Sequence, residues 1–239
     1  MSRAGSQHQL EQRGKILQAA ATLIASEGYH GMSMRRLAKI SGISLANVYN
    51  YFASKEDILF ALQKEAFETL LETTGPALAG VGDAVGRLYS FISNHVRYFA
   101  EHPEVMRALV YEAASLPAER RRVIRRLKEQ YFEIGRHIVR ELVENGCDQP
   151  GTAGRRIDGV ELERITYNIF GMLNWIYGWY QPDLHGSPRQ LARTIHEIAL
   201  CGLVANCPYR KVQERMEARL ASIEPPPLVG LPREERPMT

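Results

Sequence analysis

Hydrophobic residues recur at three- and four-residue spacing along nearly the whole chain, which is the period of amphipathic helices. In the first such segment the apolar positions run from Ile16 to Ile24, and Gly28 then supplies a stop signal. No run of alternating apolar and polar residues is typical of a strand. The pattern therefore predicts an all-α protein.

Serines mark the starts of three predicted helices near the N-terminus. Ser33, Ser44 and Ser54 each precede a helical segment that the hydroxyl can cap. The first two segments are short, whereas the third is long and continues until the stretch TTGPALAGVG breaks it. Further helices are predicted over residues 83–101, 104–115, 117–144, 160–180, 188–206 and 208–221.

These elements divide the chain into a small head, residues 9–56, and a large helical body, residues 57–221. The proline-rich tail, residues 222–239, has the composition of a disordered segment. The apolar fraction of 45% and the charged fraction of 24% are ordinary for a globular protein, so we expect head and body to fold.

Charge and cysteine usage narrow the possible partners and compartment. Residues 1–56 carry seven basic and three acidic side chains, so a polyanion is expected to bind at the head. The three cysteines, Cys147, Cys201 and Cys207, form no CxxC pair, which indicates a reducing compartment. The N-terminus lacks a signal-peptide core and the uncharged stretch 165–181 is too short to span a membrane, so we expect a cytoplasmic protein.

Residues 33–52 have the layout of a helix-turn-helix motif, with Gly42 in the turn. Asparagine amides can bond base edges, and tyrosine hydroxyls can bond phosphates. The pattern alone leaves open a plain helical hairpin whose tyrosines are packing residues. In the helix-turn-helix interpretation, the second helix presents Leu45, Ala46, Asn47, Tyr49, Asn50 and Tyr51 to DNA.

The stretch from Ile16 to Leu59 resembles, without a gap, the N-terminal domain of the tetracycline-repressor (TetR) family of bacterial transcriptional regulators. Its most specific part is YNYFASKE, residues 49–56. The resemblance implies a three-helix DNA-binding head, a helical ligand-binding body and a homodimer that binds palindromic double-stranded operator DNA. It places base contacts at Ser44, Leu45, Ala46 and Asn50, and phosphate contacts at Ser33, Tyr49, Tyr51 and Lys55.

The uncharged segment 165–180 is apolar nearly all round, which indicates a helix buried on most sides. The resemblance implies that the last two major helices form a four-helix bundle across the dimer, and the alternative is two core helices of a monomer. Asn168 and Asn174 either bond across that dimer or hold a polar group of a ligand. The expected dimer residues are Gly171, Leu173, Ile176, Ile198, Gly202 and Leu203.

Residues 174–203 resemble a subset of the family that governs fatty-acid, aromatic-acid or steroid breakdown, whose members commonly sense acyl-coenzyme A thioesters. The basic run from Arg120 to Lys128 can bind coenzyme A phosphates, although a solvated basic face is the alternative. The expected ligand-binding residues are Arg121, Arg125, Tyr131, Tyr167, Phe170, Asn174 and Trp175.

Other classes of function lack support in the sequence. The histidines have no metal-binding spacing, and there is no nucleophile elbow, phosphate loop or dinucleotide fingerprint. We therefore expect no enzyme activity, no metal and no cofactor. A ligand-independent architectural DNA binder has no use for so large an apolar body. The sequence predicts a dimeric repressor released by a hydrophobic effector, an acyl-CoA thioester, with a drug-responsive repressor of an efflux gene as the alternative.

Overall fold

A computed structural model describes residues 3–112, 114–145 and 154–203. Within these ranges there are ten α-helices and no strand, which confirms the predicted fold class. The predicted helix 208–221, the tail, Cys147 and Cys207 lie outside the described residues. The helices are α1 (Arg3–Gly31), α2 (Met34–Ser41), α3 (Leu45–Tyr51), α4 (Lys55–Leu78), α5 (Ala84–Glu101), α6 (Pro103–Tyr111), α7 (Ala118–Asn145), α8 (Gly159–Asn174), α9 (Pro182–His185) and α10 (Pro188–Leu203).

The three predicted serine caps are all present. The Oγ atoms of Ser33, Ser44 and Ser54 each accept a hydrogen bond from the backbone N–H three residues later, at distances of 3.3, 3.2 and 3.1 Å. Each bond satisfies one of the N–H groups that a helix start leaves unpaired. These bonds fix where α2, α3 and α4 begin.

Two glycines shape the turns of the head. Gly42 ends α2 in the left-handed conformation, with φ 69° and ψ 20°, and it donates its N–H to the carbonyl of Ala38. Gly28 has φ 74° and ψ 163° and interrupts the regular geometry of α1 four residues before Met32. Both conformations are accessible to glycine at little cost. The turn predicted at Gly42 is therefore confirmed, whereas Gly28, the predicted stop, kinks α1, which ends at Gly31.

Several predicted helix ends were wrong. Helix α4 passes through Gly75 and Pro76 and ends at Leu78, because buried Leu70 and Thr74 keep its last turns packed against the body. The segment predicted as one helix to residue 180 ends at Asn174 and continues as a short 3₁₀ turn, Ile176–Gly178, which turns Ile176 into the core. Helix α6 also ends four residues early, at Tyr111.

The core consists of two clusters of buried side chains that share helix α4. The head cluster holds α1 to α3 and the first half of α4, and it also takes in Val105, Ala108 and Leu116 of the body. The body cluster holds the second half of α4 with α5, α7, α8 and α10. The predicted boundary at residue 57 therefore falls in the first turn of a helix that belongs to both clusters, beside fully buried Ile58. Among the described helices, none has the length and hydropathy needed to cross a bilayer.

Candidate DNA-binding face and ligand cavity

The outer surface of α3 presents a mixed polar and aromatic face to solvent. Ala46, Tyr49 and Asn50 are exposed, and Tyr49 exposes 49% of its surface despite its large ring. The side-chain amide of Asn50 donates to the Oδ1 of half-buried Asn47 at 3.3 Å. This bond orients Asn50 and leaves the rest of its amide available to a base edge.

Two capping serines near this face are exposed at the N-termini of α2 and α3. Ser33 and Ser44 are exposed there, and each hydroxyl that accepts a capping bond can still donate its own proton. A hydroxyl and free N–H groups at a helix start suit a phosphate oxygen. Leu45 and Tyr51 are half-buried against the head core, so only part of each side chain is available to DNA.

Lys55 has a structural role that the sequence did not reveal. Its Nζ donates to the carbonyl oxygens of Tyr29 and His30, both at 3.4 Å, and lies 4.7 Å from the centre of the Tyr29 ring. The lysine therefore holds the end of α1 against the start of α4. A phosphate contact by Lys55 would compete with these bonds. Replacing Lys55 would therefore disturb the packing of the head as well as any contact with DNA.

Helix α2 carries cations that the sequence analysis did not assign to DNA. Arg35 and Lys39 are exposed, whereas Arg36 is paired with Glu27 at 2.6 Å. Arg35 and Lys39 lie one turn apart, on the helix that precedes the recognition turn. The first helix of a helix-turn-helix crosses the phosphate backbone, so the position of these two cations on α2 could have identified them as candidate phosphate contacts.

A cavity of about 570 Å³ lies in the body between helices α4, α5, α6, α7 and α8. Six of the seven predicted ligand residues line it, whereas Trp175 does not and is 60% exposed. The lining residues from α4 to α6 are Gln63, Phe67, Leu70, His95, Phe99, Met106, Leu109 and Val110. Those from α7 and α8 are Arg121, Ile124, Arg125, Lys128, Tyr131, Phe132, Tyr167, Phe170, Gly171 and Asn174.

The basic run on α7 divides into three parts with different partners. Arg121, Arg125 and Lys128 line the cavity and are exposed, and we call them the cationic rim. Arg122 instead pairs with exposed Glu119 at 3.2 Å. Arg120 is paired with Glu56 and Asp57 of α4. Neither alternative from the sequence describes the whole run, because successive residues of one helix point in different directions.

The inner wall of the cavity is formed by His95, Phe99, Tyr131 and Phe170. His95 Nδ1 lies 3.2 Å from the Tyr131 hydroxyl, and the imidazole packs on Phe99 with ring centroids 4.7 Å apart. Burial lowers the pKa of His95 to about 3. A hydrogen bond with the backbone of Leu173 acts in the opposite direction and is the weaker effect. Burial likewise raises the pKa of Tyr131. Both groups are therefore neutral at physiological pH.

His95 Nε2 is buried and has no hydrogen-bond partner of normal geometry among the described residues. The imidazole nevertheless interacts with the backbone of Leu173, so it is not without a polar neighbour. His95 was not predicted from the sequence, although it occupies a buried position on α5 in register with Leu88 and Phe99. A histidine on an apolar stripe was the signal that could have identified it.

One cavity residue is linked by hydrogen bonds to the head. Gln63 Nε2 donates to the backbone carbonyls of Ala108 and Glu112, at 3.4 and 3.2 Å. The carboxylate of Glu112 in turn accepts the backbone N–H of Tyr29 at 2.9 Å and the hydroxyl of Ser115 at 2.5 Å. The end of α6 thus connects the cavity with the last turn of α1.

A second connection between body and head lies at the start of α7. Arg120 contacts Asp57 directly, and its Nε lies 3.2 Å from the Glu56 carboxylate. The hydrogen bond from Ser54, and then that from Arg120, lowers the pKa of Asp57. Asp57 is therefore ionised at neutral pH and holds the start of α7 against the start of α4.

The predicted dimer residues separate into exposed and buried sets. Gly171, Ile198 and Gly202 are exposed, with Ile198 exposing 57% of its surface. Leu173, Ile176 and Leu203 were assigned wrongly, because their side chains lie in the body core of a single chain. The 3₁₀ turn directs Ile176 into the core. Leu173 and Leu203 lie on the buried faces of α8 and α10.

The two asparagines of the uncharged segment have different environments. Asn174 lines the cavity, which favours its assignment to a ligand. Asn168 is exposed and donates to the carbonyl of Arg164 in its own helix at 2.8 Å. Gly171 also lines the cavity, and a Cβ there would meet nothing within 4 Å, so Gly171 is not at a tight helix crossing within one chain.

Comparisons with known proteins agree with this architecture. The profile described as "Bacterial regulatory proteins, tetR family" matches residues 16–62, and the one described as "Tetracyclin repressor-like, C-terminal domain" matches residues 81–203. The chain is 25% identical over 190 residues to the Fatty acid metabolism regulator protein of Bacillus subtilis, covering 79% of this chain and 94% of that protein.

Solved structures of TetR-family regulators have the same fold as this chain. The TetR family transcriptional regulator PfmR from Thermus thermophilus is 31% identical, with a TM-score of 0.67 over 77% of this chain and 96% of that one. AibR, solved in complex with isovaleryl coenzyme A and operator DNA, shares the fold at 23% identity, with a TM-score of 0.65 over 78% of this chain and 97% of that one. The chain belongs to the TetR family of bacterial regulatory proteins and is a DNA-binding transcriptional regulator, not an enzyme.

Proposed function

We propose that this regulator is a homodimeric repressor that leaves its operator when an acyl-CoA thioester enters the body. The observation that carries the proposal is a cavity with an apolar interior and a rim of three cations. The name of the Bacillus subtilis relative concerns fatty acid metabolism, and AibR has this fold and binds isovaleryl coenzyme A. Both support an acyl-CoA effector.

The charge of the cavity favours an acyl-CoA effector over a cationic drug, the two effector classes left open by the sequence. Arg121, Arg125 and Lys128 are its charged lining residues, and no carboxylate is among the described residues that line it. An anionic ligand gains from this arrangement, and guanidinium groups suit phosphate oxygens in particular. A cationic drug would be repelled, so the efflux-type alternative is disfavoured.

The energy required for release sets a lower limit on the apolar part of the effector. Moving an equilibrium from 1:99 to 99:1 requires about 5.5 kcal/mol of preference for one state. Burying apolar carbon supplies about 0.8 kcal/mol per methylene, so roughly seven methylenes suffice if they are buried only in the released state. Phe67, Phe99 and Met106 offer apolar contacts of this kind. Medium and long acyl chains therefore fit better than acetyl.

The proposed dimer forms through an uncovered apolar stripe on α8 and α10. Tyr167, Trp175 and Ile198 expose 63%, 60% and 57% of their surfaces. Exposed Gly171 lies four residues from both Tyr167 and Trp175, and exposed Gly202 lies four residues after Ile198. Each glycine therefore shares a helix face with these large residues. Small residues between large apolar ones allow helices to approach closely. A second copy of the chain is the partner that the family leads us to expect.

The proposed release mechanism acts through the end of α6. A ligand that displaces Gln63, or the neighbouring Leu109 and Val110, moves the backbone at the end of α6, where Glu112 lies. Glu112 holds the N–H of Tyr29, so the displacement is transmitted to the head. The ligand shifts the equilibrium only if it binds more tightly to the arrangement that does not match the operator.

The first prediction concerns DNA recognition. Asn50→Ala is expected to weaken binding to an operator selected from random duplexes by the parent protein, because a good amide contact to a base contributes about 1–3 kcal/mol of discrimination. Binding to unselected duplex should change little. Arg122→Ala, which removes an exposed cation of the body, is the control. Equal loss of affinity for selected and random duplex would contradict a base contact by Asn50.

The second prediction concerns the dimer. Ile198→Glu places a charge in the proposed apolar interface, so sedimentation velocity should show a shift towards monomer and operator binding should weaken with it. Val123→Glu, on an exposed apolar position of α7, is expected to remain dimeric. If Ile198→Glu sediments like the parent at the same concentration, α10 does not form the interface.

The third prediction concerns the effector. In calorimetry, the parent should bind a medium-chain acyl-CoA more tightly than the matching free fatty acid or coenzyme A alone. The double variant Arg121→Glu with Arg125→Glu should remove the advantage of the thioester over the free acid, because the cationic rim no longer binds phosphate. Arg122→Glu is the matched control, since Arg122 lies on the same helix and does not line the cavity. A cationic drug that binds where no thioester does would overturn the proposal.

The fourth prediction concerns the transmission of the signal. Glu112→Ala removes the acceptor of the Tyr29 N–H and should reduce the factor by which a saturating effector lowers operator affinity, since couplings of about 1–3 kcal/mol are typical. Effector affinity in the absence of DNA should stay near that of the parent. Glu119→Ala, which breaks an exposed ion pair, serves as the control. An unchanged release factor in Glu112→Ala would exclude this route.

A further inference from the structure

The mouth of the cavity lies on a face of α8 that also belongs to the proposed dimer interface. Tyr167 and Gly171 both line the cavity, and both are exposed at the surface. They are four residues apart, so they share one face of the helix. The exposed cationic rim lines the cavity from α7, whose Phe132 packs on Tyr167 with ring centroids 4.7 Å apart. The cavity therefore opens between α7 and α8, at the edge of the uncovered stripe.

Gly171 occupies an interior position of α8 where its own chain does not require a glycine. A Cβ there would meet nothing within 4 Å, so no described part of the same chain approaches the helix at this point. Glycine in the middle of a helix is destabilising relative to alanine, because it loses more backbone freedom on folding. An exposed glycine between two large aromatic residues, Tyr167 and Trp175, leaves room for a helix of another chain beside the mouth.

We infer that the second copy of the chain closes the mouth of the cavity, so that each effector site is complete only in the dimer. The inference rests on the proposed function, because it takes the stripe of α8 and α10 as the dimer interface and an acyl-CoA as the effector. Tyr167 and Gly171 then contact the second copy on one side and the effector on the other. Closure removes water from the apolar part of the effector and strengthens the attraction between the cationic rim and the phosphates.

Effector binding and dimer formation are reciprocal in such a site. If the effector binds the dimer more tightly than the monomer, it stabilises the dimer by the same factor at each site. A gain of about tenfold per site, the size of one good contact, gives about 100-fold for the two sites of a dimer. The species that leaves the operator is then a tightened dimer and not a pair of separate monomers.

The first measurement is the effector affinity of the monomer. Ile198 is exposed on α10 and does not line the cavity, so within one chain it does not touch the effector. Calorimetry with octanoyl-CoA should nevertheless show about tenfold weaker binding to Ile198→Glu than to the parent dimer, at concentrations where sedimentation shows the variant to be monomeric. Leu10→Glu is the matched control, because it adds the same charge at an exposed apolar position of α1 and should bind octanoyl-CoA like the parent.

The second measurement is the effect of the ligand on the dimer. Ile198→Ala should weaken the interface without abolishing it, so that monomer and dimer coexist in a dilution series followed by sedimentation. Saturating octanoyl-CoA should lower the dimer dissociation constant of this variant by about 100-fold. The same protein is compared with and without ligand, so a folding defect cannot produce the shift.

The outcomes separate the inference from the function on which it rests. If octanoyl-CoA does not bind the parent at micromolar concentration, the acyl-CoA effector is wrong and the inference is overturned with it. If Ile198→Glu remains dimeric, the interface lies elsewhere and the second copy does not reach the mouth. If the monomer binds octanoyl-CoA as tightly as the dimer, and the ligand leaves the dimer dissociation constant unchanged, each site is complete in one chain. That result overturns the inference alone.

The control and the folding of the variants are read separately. Equal weakening in Leu10→Glu would show that the added charge, and not the loss of the second copy, causes the effect, and it would overturn the inference. Thermal melts establish that each variant is folded. Should Ile198→Glu fail to fold, the dilution series of Ile198→Ala decides the question.

Discussion

The contact between the end of α6 and the last turn of α1 is the constraint on which the rest of the molecule depends. Glu112 accepts the N–H of Tyr29, and Val105 and Ala108 of α6 are buried among the side chains of the head. The head cluster is therefore completed by residues of the body. Head and body are therefore not independently packed units, because removing either one exposes the apolar surface of the other.

Local sequence signals predicted the elements of the head with good accuracy. Serine caps and a left-handed glycine act over three or four residues, so Ser33, Gly42 and Ser44 could be recognised without knowledge of distant contacts. Helix ends in the body were harder to predict. The continuation of α4 through Pro76 and the turn after Asn174 depend on which side chains the body core buries, and that information is non-local.

The difference between local signals and non-local packing also explains which candidate site residues the sequence could indicate. The residues that line the cavity were found where they carry a conspicuous side chain, such as Tyr131 or Phe170, on helices already assigned to the body. Leu173 and Ile176 were placed in the dimer because the sequence of an apolar helix does not indicate whether its own chain or a second copy covers it. His95 was missed since one polar residue in an apolar stripe gives no sign of the cavity formed by four other helices.

Helix α4 begins beside the DNA-binding face and contributes Gln63, Phe67 and Leu70 to the wall of the cavity, with no break between. A continuous helix is stiff, so it behaves as a lever. Phe67 lies about 18 Å along the axis from Lys55, and a tilt of about 6° about Phe67 would move that end by about 2 Å. In a two-fold dimer both ends move, which changes their separation by up to about 4 Å against a half-site spacing of about 34–36 Å. A change of this size in the separation of the two heads needs only a small tilt of α4 and no large rearrangement of the body.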